Sequence, residues 1–109
     1  MRRPVEASKR EMKVEGFRLN GATGTPVLAE GRFSASVTDL GVGNYRLTFN
    51  EPFGRTPIAV ASPLTDDTIV QISVISNLLV EVQAQDLVGV AQEADLCLMV
   101  YGSDVADEQ

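Results

Sequence analysis

Carboxylates and one thiol are the reactive groups that this chain offers; it contains no histidine. Without an imidazole, Ser-His-Asp and Cys-His catalysis are excluded, and the commonest metal ligand is missing. One cysteine and no histidine also leave no zinc site of the usual kind. The remaining candidates are Asp66, Asp67, Asp86, Glu93 and Asp95. Carboxylates alone can run glycoside hydrolysis. Asp66-Asp67 or Glu93 with Asp95 could offer oxygen ligands to Ca²⁺, though no motif fixes the geometry. All five fall in stretches that read as loops, where such residues are ordinarily solvated turn formers. The expectation is a non-enzyme with no catalytic residue, no cofactor and no resident metal. Cys97 lies in the apolar run Leu96-Cys97-Leu98-Met99-Val100-Tyr101 and reads as a small core hydrophobe. Gly41-Val42-Gly43 sits between two expected strands with no Gly-Lys-Ser/Thr after it, so it is no phosphate cradle.

The elements that would position these groups are strands. Gly43 to Pro63 contains the clearest one: Tyr45, Leu47 and Phe49 on one side, Asn44, Arg46, Thr48 and Asn50 on the other. That period of two is the signature of a sheet with one buried face. A corner, Glu51 to Pro57, leads to a second extended run, Ile58 to Ser62, closed by Pro63. Earlier, Val14 to Asn20 reads as a short edge strand with Phe17 and Leu19 on one side. Val27 to Ala29 adds a few extended residues. Arg32 to Thr38 alternates with Phe33, Ala35 and Val37 inward, and Asp39 to Gly43 joins it to the Tyr45 strand. Later, Ile69 to Ile75 places Val70, Ile72 and Val74 on one face. A turn at Ser76-Asn77 leads into Leu78 to Gln85, with Val80, Val82 and Ala84 inward. Leu96 to Tyr101 is apolar on both faces. It is either a central strand under a covering loop, or its second face (Cys97, Met99, Tyr101) packs on another subunit.

The 109 residues suit one domain, with only six per cent aromatic residues and no Trp, so Val, Ile, Leu and Ala must fill its interior. Domain bounds read as an arm over 1–13, a β-domain over 14–103 and an acidic tail over 104–109. The net charge of −6 is unevenly spread. Residues 1–13 hold Arg2, Arg3, Lys9, Arg10 and Lys13 against Glu6 and Glu11, a net of +3; the remainder is at −9. A body so acidic repels phosphate backbones, so no nucleic-acid partner is expected. The arm is either a solvated terminus or a segment that orders by ion pairing on a partner. No apolar run approaches the roughly 18–20 residues of a membrane span. No apolar stretch follows the basic residues, so no signal peptide is expected, and synthesis in the cytoplasm is the default.

The run G-N-Y-R-L-T-F followed by Phe53 and P-I-A-V-A-S-P resembles β-rich virion proteins of tailed bacteriophages, both small capsid-decorating proteins and head or tail fibre modules. A later loop of the form D-x-x-G-x-A, here Asp86 to Ala91, feeds a terminal strand ending at Gly102 and is similar too. Together they cover about Gly41 to Gly102. The resemblance implies an antiparallel β-sandwich, jelly-roll-like, in a virion protein made in the host cytoplasm. The chain is short and has no heptad or collagen-like stem, so capsid decoration is the expected role rather than a fibre. The expected assembly is a homotrimer over a local symmetry axis. Leu87, Val88, Val90, Cys97, Met99 and Tyr101 would form subunit contacts, with Arg2, Arg3, Lys9, Arg10 and Lys13 docking on the major capsid protein or another virion subunit. The alternative is a fibre or adaptor module recognising host glycan through loops around Thr23, Asp66 and Gly89, with Tyr101 and Arg55 as possible sugar contacts.

Overall fold

The structure, a computed structural model, describes residues 13–22, 24, 27–31 and 35–103. In chain order its strands are β1 (Lys13–Asn20), β2 (Val27–Gly31), β3 (Ala35–Gly41), β4 (Asn44–Phe49), β5 (Ile58–Pro63), β6 (Thr68–Ile75), β7 (Leu79–Asp86) and β8 (Asp95–Gly102). They form two four-stranded sheets, ordered β2-β1-β8-β5 (sheet A) and β3-β4-β7-β6 (sheet B). Every pairing is antiparallel. The fold is therefore all-β, as the alternating runs require. The chain crosses between sheets after β2, β4, β5 and β7. As a result β4 lies on β7 in one sheet while β5 lies on β8 in the other. The two sheets are thereby interlocked by their connections.

One core fills the space between them. Phe17, Leu19, Leu96, Leu98 and Val100 come from sheet A, and Tyr45, Leu47, Phe49, Val80 and Val82 from sheet B. Each fully buried aliphatic or aromatic side chain of this kind contributes about 1.5–3 kcal/mol relative to exposure. Phe53, in the β4–β5 corner, closes one end of the core edge-on to Phe49, with ring centroids 5.2 Å apart. Its corner is tied to the β6–β7 turn by Phe53 N–H to Asn77 O and Asn77 Nδ2 to Phe53 O.

Three features differ from the alternation read in the sequence. β1 is not an edge strand: it lies between β2 and β8 and pairs along its whole length with the latter. In β6 a bulge between Ile72 and Val74 inserts Ser73 as an extra residue. The inward side then changes from Val70 and Ile72 to Ile75, which packs on the core, and Val74 turns out to solvent. Finally, β3 continues through Asp39 to Gly41, leaving a turn of only Val42 and Gly43 before β4.

β1 also carries a carboxylate inward. Glu15 shares the core side with Phe17 and Leu19 and is 1% exposed. Its Oε2 lies 3.4 Å from the Lys13 ammonium, while Oε1 has no hydrogen-bond partner among the described residues. Lys13 also donates to the Glu51 carbonyl at 2.8 Å and sits 4.7 Å over the Phe53 ring. Burial raises the Glu15 pKa; Lys13 pulls it back, and the nearby Glu51 charge raises it further. A carboxyl whose folded pKa is raised stabilises the fold fully below the ordinary glutamate range. That contribution is lost as pH rises through the folded value. Glu15→Gln is therefore expected to unfold later than the parent at pH 7.5, by on the order of 1 kcal/mol. The gap should close towards pH 4. Thermal or urea unfolding of both proteins across that range checks this, and a variant less stable at pH 7.5 would contradict it.

Candidate functional site

The two sheets turn different chemistry outward. On sheet B most outward positions are polar: Asn44, Arg46 and Thr48 on β4, Glu81, Gln83 and Gln85 on β7, Gln71 and Ser73 on β6, with Ile69 and Val74 of β6 exposed among them. Two side-chain pairs link the strands. Arg46 pairs with Glu81 at 2.8 Å, and Gln71 Nε2 donates to Gln83 Oε1 at 2.9 Å.

Sheet A is the opposite. The register of β1, β8 and β5 sets three rows across its outward face: Val14, Tyr101 and Ile58; Gly16, Met99 and Val60; Arg18, Cys97 and Ser62. Met99 is 51% exposed and Val60 56%, with Val14 and Ile58 similarly open. Together these side chains make an apolar surface three strands wide. At Gly16 the surface is notched. A Cβ there would meet nothing within 4 Å, and the hollow is a groove of about 320 Å³ lined chiefly by Gly16, Val60, Ser62, Cys97 and Met99.

β5 explains half of that surface. Its large residues, Ile58 and Val60, face out, while the small Ala59 and Ala61 face in and pack on the core. β8 supplies the other half. As the central strand beside β1 and β5, it buries Leu96, Leu98 and Val100, and presents Cys97, Met99 and Tyr101 outward. Cys97 is thus half-buried on the outward face, not a core residue as its run suggested. Among the described residues no loop covers that face.

The β7–β8 loop carries a second apolar feature. Leu87, Val88 and Val90 are exposed, Val88 at 83%. Asp86 holds them in place: its Oδ1 accepts the Val88 and Val90 N–H groups at 3.0 and 2.9 Å, and its own N–H donates to Val90 O at 2.8 Å. Gly89 closes the turn at φ +91° and donates its N–H to Asp86 O.

The rest of that loop is a clamp. The Tyr45 hydroxyl, fully buried, donates to Glu93 Oε1 at 2.6 Å and accepts the Ala94 N–H at 3.1 Å. Glu93 Oε1 also accepts the Gly43 N–H at 3.2 Å. Gln92 Nε2 donates to Thr68 Oγ1, the Asp95 N–H to Thr65 Oγ1, and the Ala22 N–H to Asp95 Oδ1. Burial first, then the hydrogen bond to the Glu93 carboxylate, push the Tyr45 pKa above its ordinary value. Glu93 and Asp95 are thus engaged in holding four loops together at one end of the molecule. Among the described residues no group of three or more cysteine and carboxylate side chains could hold a metal ion.

The remaining sequence candidates fall as follows. Arg2, Arg3, Lys9, Arg10 and Thr23 lie outside the described residues, as does the tail 104–109. Lys13 is the first residue of β1, paired with Gly102, and its ammonium is tied to Glu15 and Glu51 O. It belongs to the sheet, so a docking arm would end before it. Asp66, Asp67, Asp86 and Gly89 gather at the end that the clamp closes. Arg55 and Tyr101 lie at the other end, where with Pro57 and Ile58 they line a groove of about 280 Å³. Gly16, Val14, Ile58 and Val60 were not picked out as candidates from the sequence. The signal that could have found the last two is the large-small alternation in Ile58-Ala59-Val60-Ala61. No family model, curated protein or solved structure matches the chain.

Proposed function

We propose that the protein is a structural, non-enzymatic adhesion subunit: a virion protein of the tailed-phage type that decorates capsids and self-associates. The observation that supports this reading is the apolar face of sheet A, which no loop of the described residues covers, set against a more polar face on sheet B. A water-facing sheet would gain nothing from Val14, Ile58, Val60 and Met99, whereas a buried interface gains about 25 cal/mol per Å² of apolar area removed from water. The expected oligomer is a homotrimer. The jelly-roll form of the fold belongs to the same proposal. First strand on last, β1 on β8, supports it, while the single-sheet hairpins β1–β2 and β3–β4 depart from eight strands wound as two Greek keys. The basic run Arg2, Arg3, Lys9 and Arg10 would dock on the shell, each exposed pair contributing little and the set acting together.

Two measurements test this. Native mass over a micromolar to millimolar series should show an oligomer, and Met99→Glu should shift it towards monomer. Cosedimentation with tailed-phage shells stripped of decoration protein should be lost when Arg2, Arg3, Lys9 and Arg10 are all replaced by Ser. A protein monomeric throughout, and indifferent to shells, would end the reading.

A second reading has its own support: Arg55 and Tyr101, raised as sugar contacts, do share one groove. Binding of host polysaccharide that is lost in Tyr101→Ala, with no affinity for shells, would favour a fibre or adaptor module instead.

A further inference from the structure

We propose that the start of β1, Lys13 to Glu15, is a pH-operated latch. It lies on β8 while Glu15 carries a proton and swings away once that proton leaves. The latch works whether or not copies of the chain associate.

The surroundings of the carboxyl suit its neutral form. Glu15 is buried on the core side of sheet A. An ionised carboxylate accepts on both oxygens, whereas the neutral acid needs fewer donors. Among the described residues Oε1 has no partner, and the Lys13 ammonium stands 3.4 Å from Oε2, longer than a good N–H···O bond. The short bond of that ammonium, 2.8 Å, goes to the Glu51 carbonyl instead. The charges that act on Glu15 are Lys13 on its own strand and Glu51 in the β4–β5 corner. Lys13 favours the charged form and Glu51 opposes it, so burial decides the balance. The β8 residues paired with this end, Val100, Tyr101 and Gly102, bring no charged group. Phe53 in the corner and Phe49 in sheet B, packed edge-on at the same end, bring none either. Arg55, also in the corner, lines the outward groove with Tyr101.

Pairing makes this end the part that yields. Lys13, Val14 and Glu15 pair with Gly102, Tyr101 and Val100 of β8, but among the described residues β2 joins β1 only from Phe17 onward. The first three residues are therefore held on one side, while Phe17 and Leu19 anchor the remainder in the core. Val14 is already half exposed, so lifting the end uncovers little apolar surface, the condition for local opening. β8 need not follow: Tyr101 also pairs with Ile58, and Ser103 O accepts the Gly54 N–H. Lifting carries Lys13 off the Glu51 carbonyl and the Phe53 ring, so the tie between β1 and the corner is released in the same movement. The closed form holds the Glu15 proton more tightly than the open one does. Closure is thus complete below the ordinary glutamate range and weakens as pH rises through the closed-form value.

Amide hydrogen exchange followed by NMR on the full chain tests this, after correction for the intrinsic effect of pH on exchange. The amides of Lys13 to Gly16 should exchange through an opening that leaves Val80 and Leu98 protected and is insensitive to low urea. Between pH 4.5 and 8 that opening should grow at least about tenfold. In Glu15→Gln, which keeps the shape without the titrating proton, it should not grow. The Glu15 carboxyl carbon, followed by ¹³C NMR in the parent, should titrate above the ordinary glutamate range; this readout needs no variant. An opening that ignores pH, or that grows equally in Glu15→Gln, would overturn the latch. So would a carboxyl that titrates in the ordinary range. If Lys13 to Gly16 exchange only together with Val80 and Leu98, the strand end has no motion of its own and the latch is overturned as well.

Discussion

Gly43→Ala is expected to lower the unfolding midpoint by about 10 °C or more, the size of change that a loss of a few kcal/mol produces in a domain of this length. Two costs combine. Gly43 has φ +69°, where an L-residue bears roughly 1–2 kcal/mol of strain. A Cβ would also run into the Ala84 carbonyl oxygen and lie 2.6 Å from that of Gln92. Both obstacles are backbone, and both are fixed: Ala84 N–H donates to Gly43 O, and Gln92 N–H donates to Ala84 O. Relief would require the β3–β4 turn to leave β7, adding an overpacking cost of about 1–3 kcal/mol. Two neighbouring comparisons separate the terms. Gly41 has φ +130° but open space, so alanine there carries strain alone; Gly16 has neither and should tolerate alanine. Equal midpoints for the Gly43 and Gly16 variants would show the argument to be mistaken.

Tyr45→Phe is expected to cost about 2–3 kcal/mol, measured by urea unfolding at neutral pH. The ring stays packed, so the loss isolates the hydroxyl. Without it the Ala94 N–H, on a fully buried residue, loses its acceptor. Glu93 keeps only the Gly43 N–H on Oε1 and loses its shortest partner. The pH dependence gives a second readout. The folded Tyr45 pKa lies above its ordinary value, so the stabilisation is complete below the unfolded value near 10 and fades as pH rises from there. Parent and variant should therefore converge in strongly alkaline solution. A variant within a few tenths of a kcal/mol of the parent at pH 7 would mean that the clamp carries no weight.

How much of this was legible in the sequence depends on what each residue's neighbours are. β4 and β7 could be read directly, because Tyr45, Leu47 and Phe49, and Val80, Val82 and Ala84, alternate with polar residues. β8 announced two apolar faces and is central; no loop of the described residues covers its second face, and the subunit contact expected there is a proposal. The facing of β5 was not read from its sequence: the small Ala59 and Ala61 pack on the core, while the larger Ile58 and Val60 face out. The bulge at Ser73 was hidden because nothing in Ile72-Ser73-Val74 breaks the alternation locally; only the register with Glu81 and Val80 on β7 reveals it. Glu15 was hidden for a similar reason. Its neighbours Phe17 and Leu19 fix the inward side of β1, and a carboxylate two residues earlier is carried in with them. The clamp lay furthest from view, since Gly21, Gly43, Tyr45, Thr68 and Glu93 meet only after the sheets have formed.

The contrast between the two broad sides of the domain limits what can be built from it. A layer formed through the greasier side would turn the more hydrated one to solvent, where Ile69 and Val74 stand among amides, hydroxyls and an arginine–glutamate pair. Growth through that second side would be weaker than through the first.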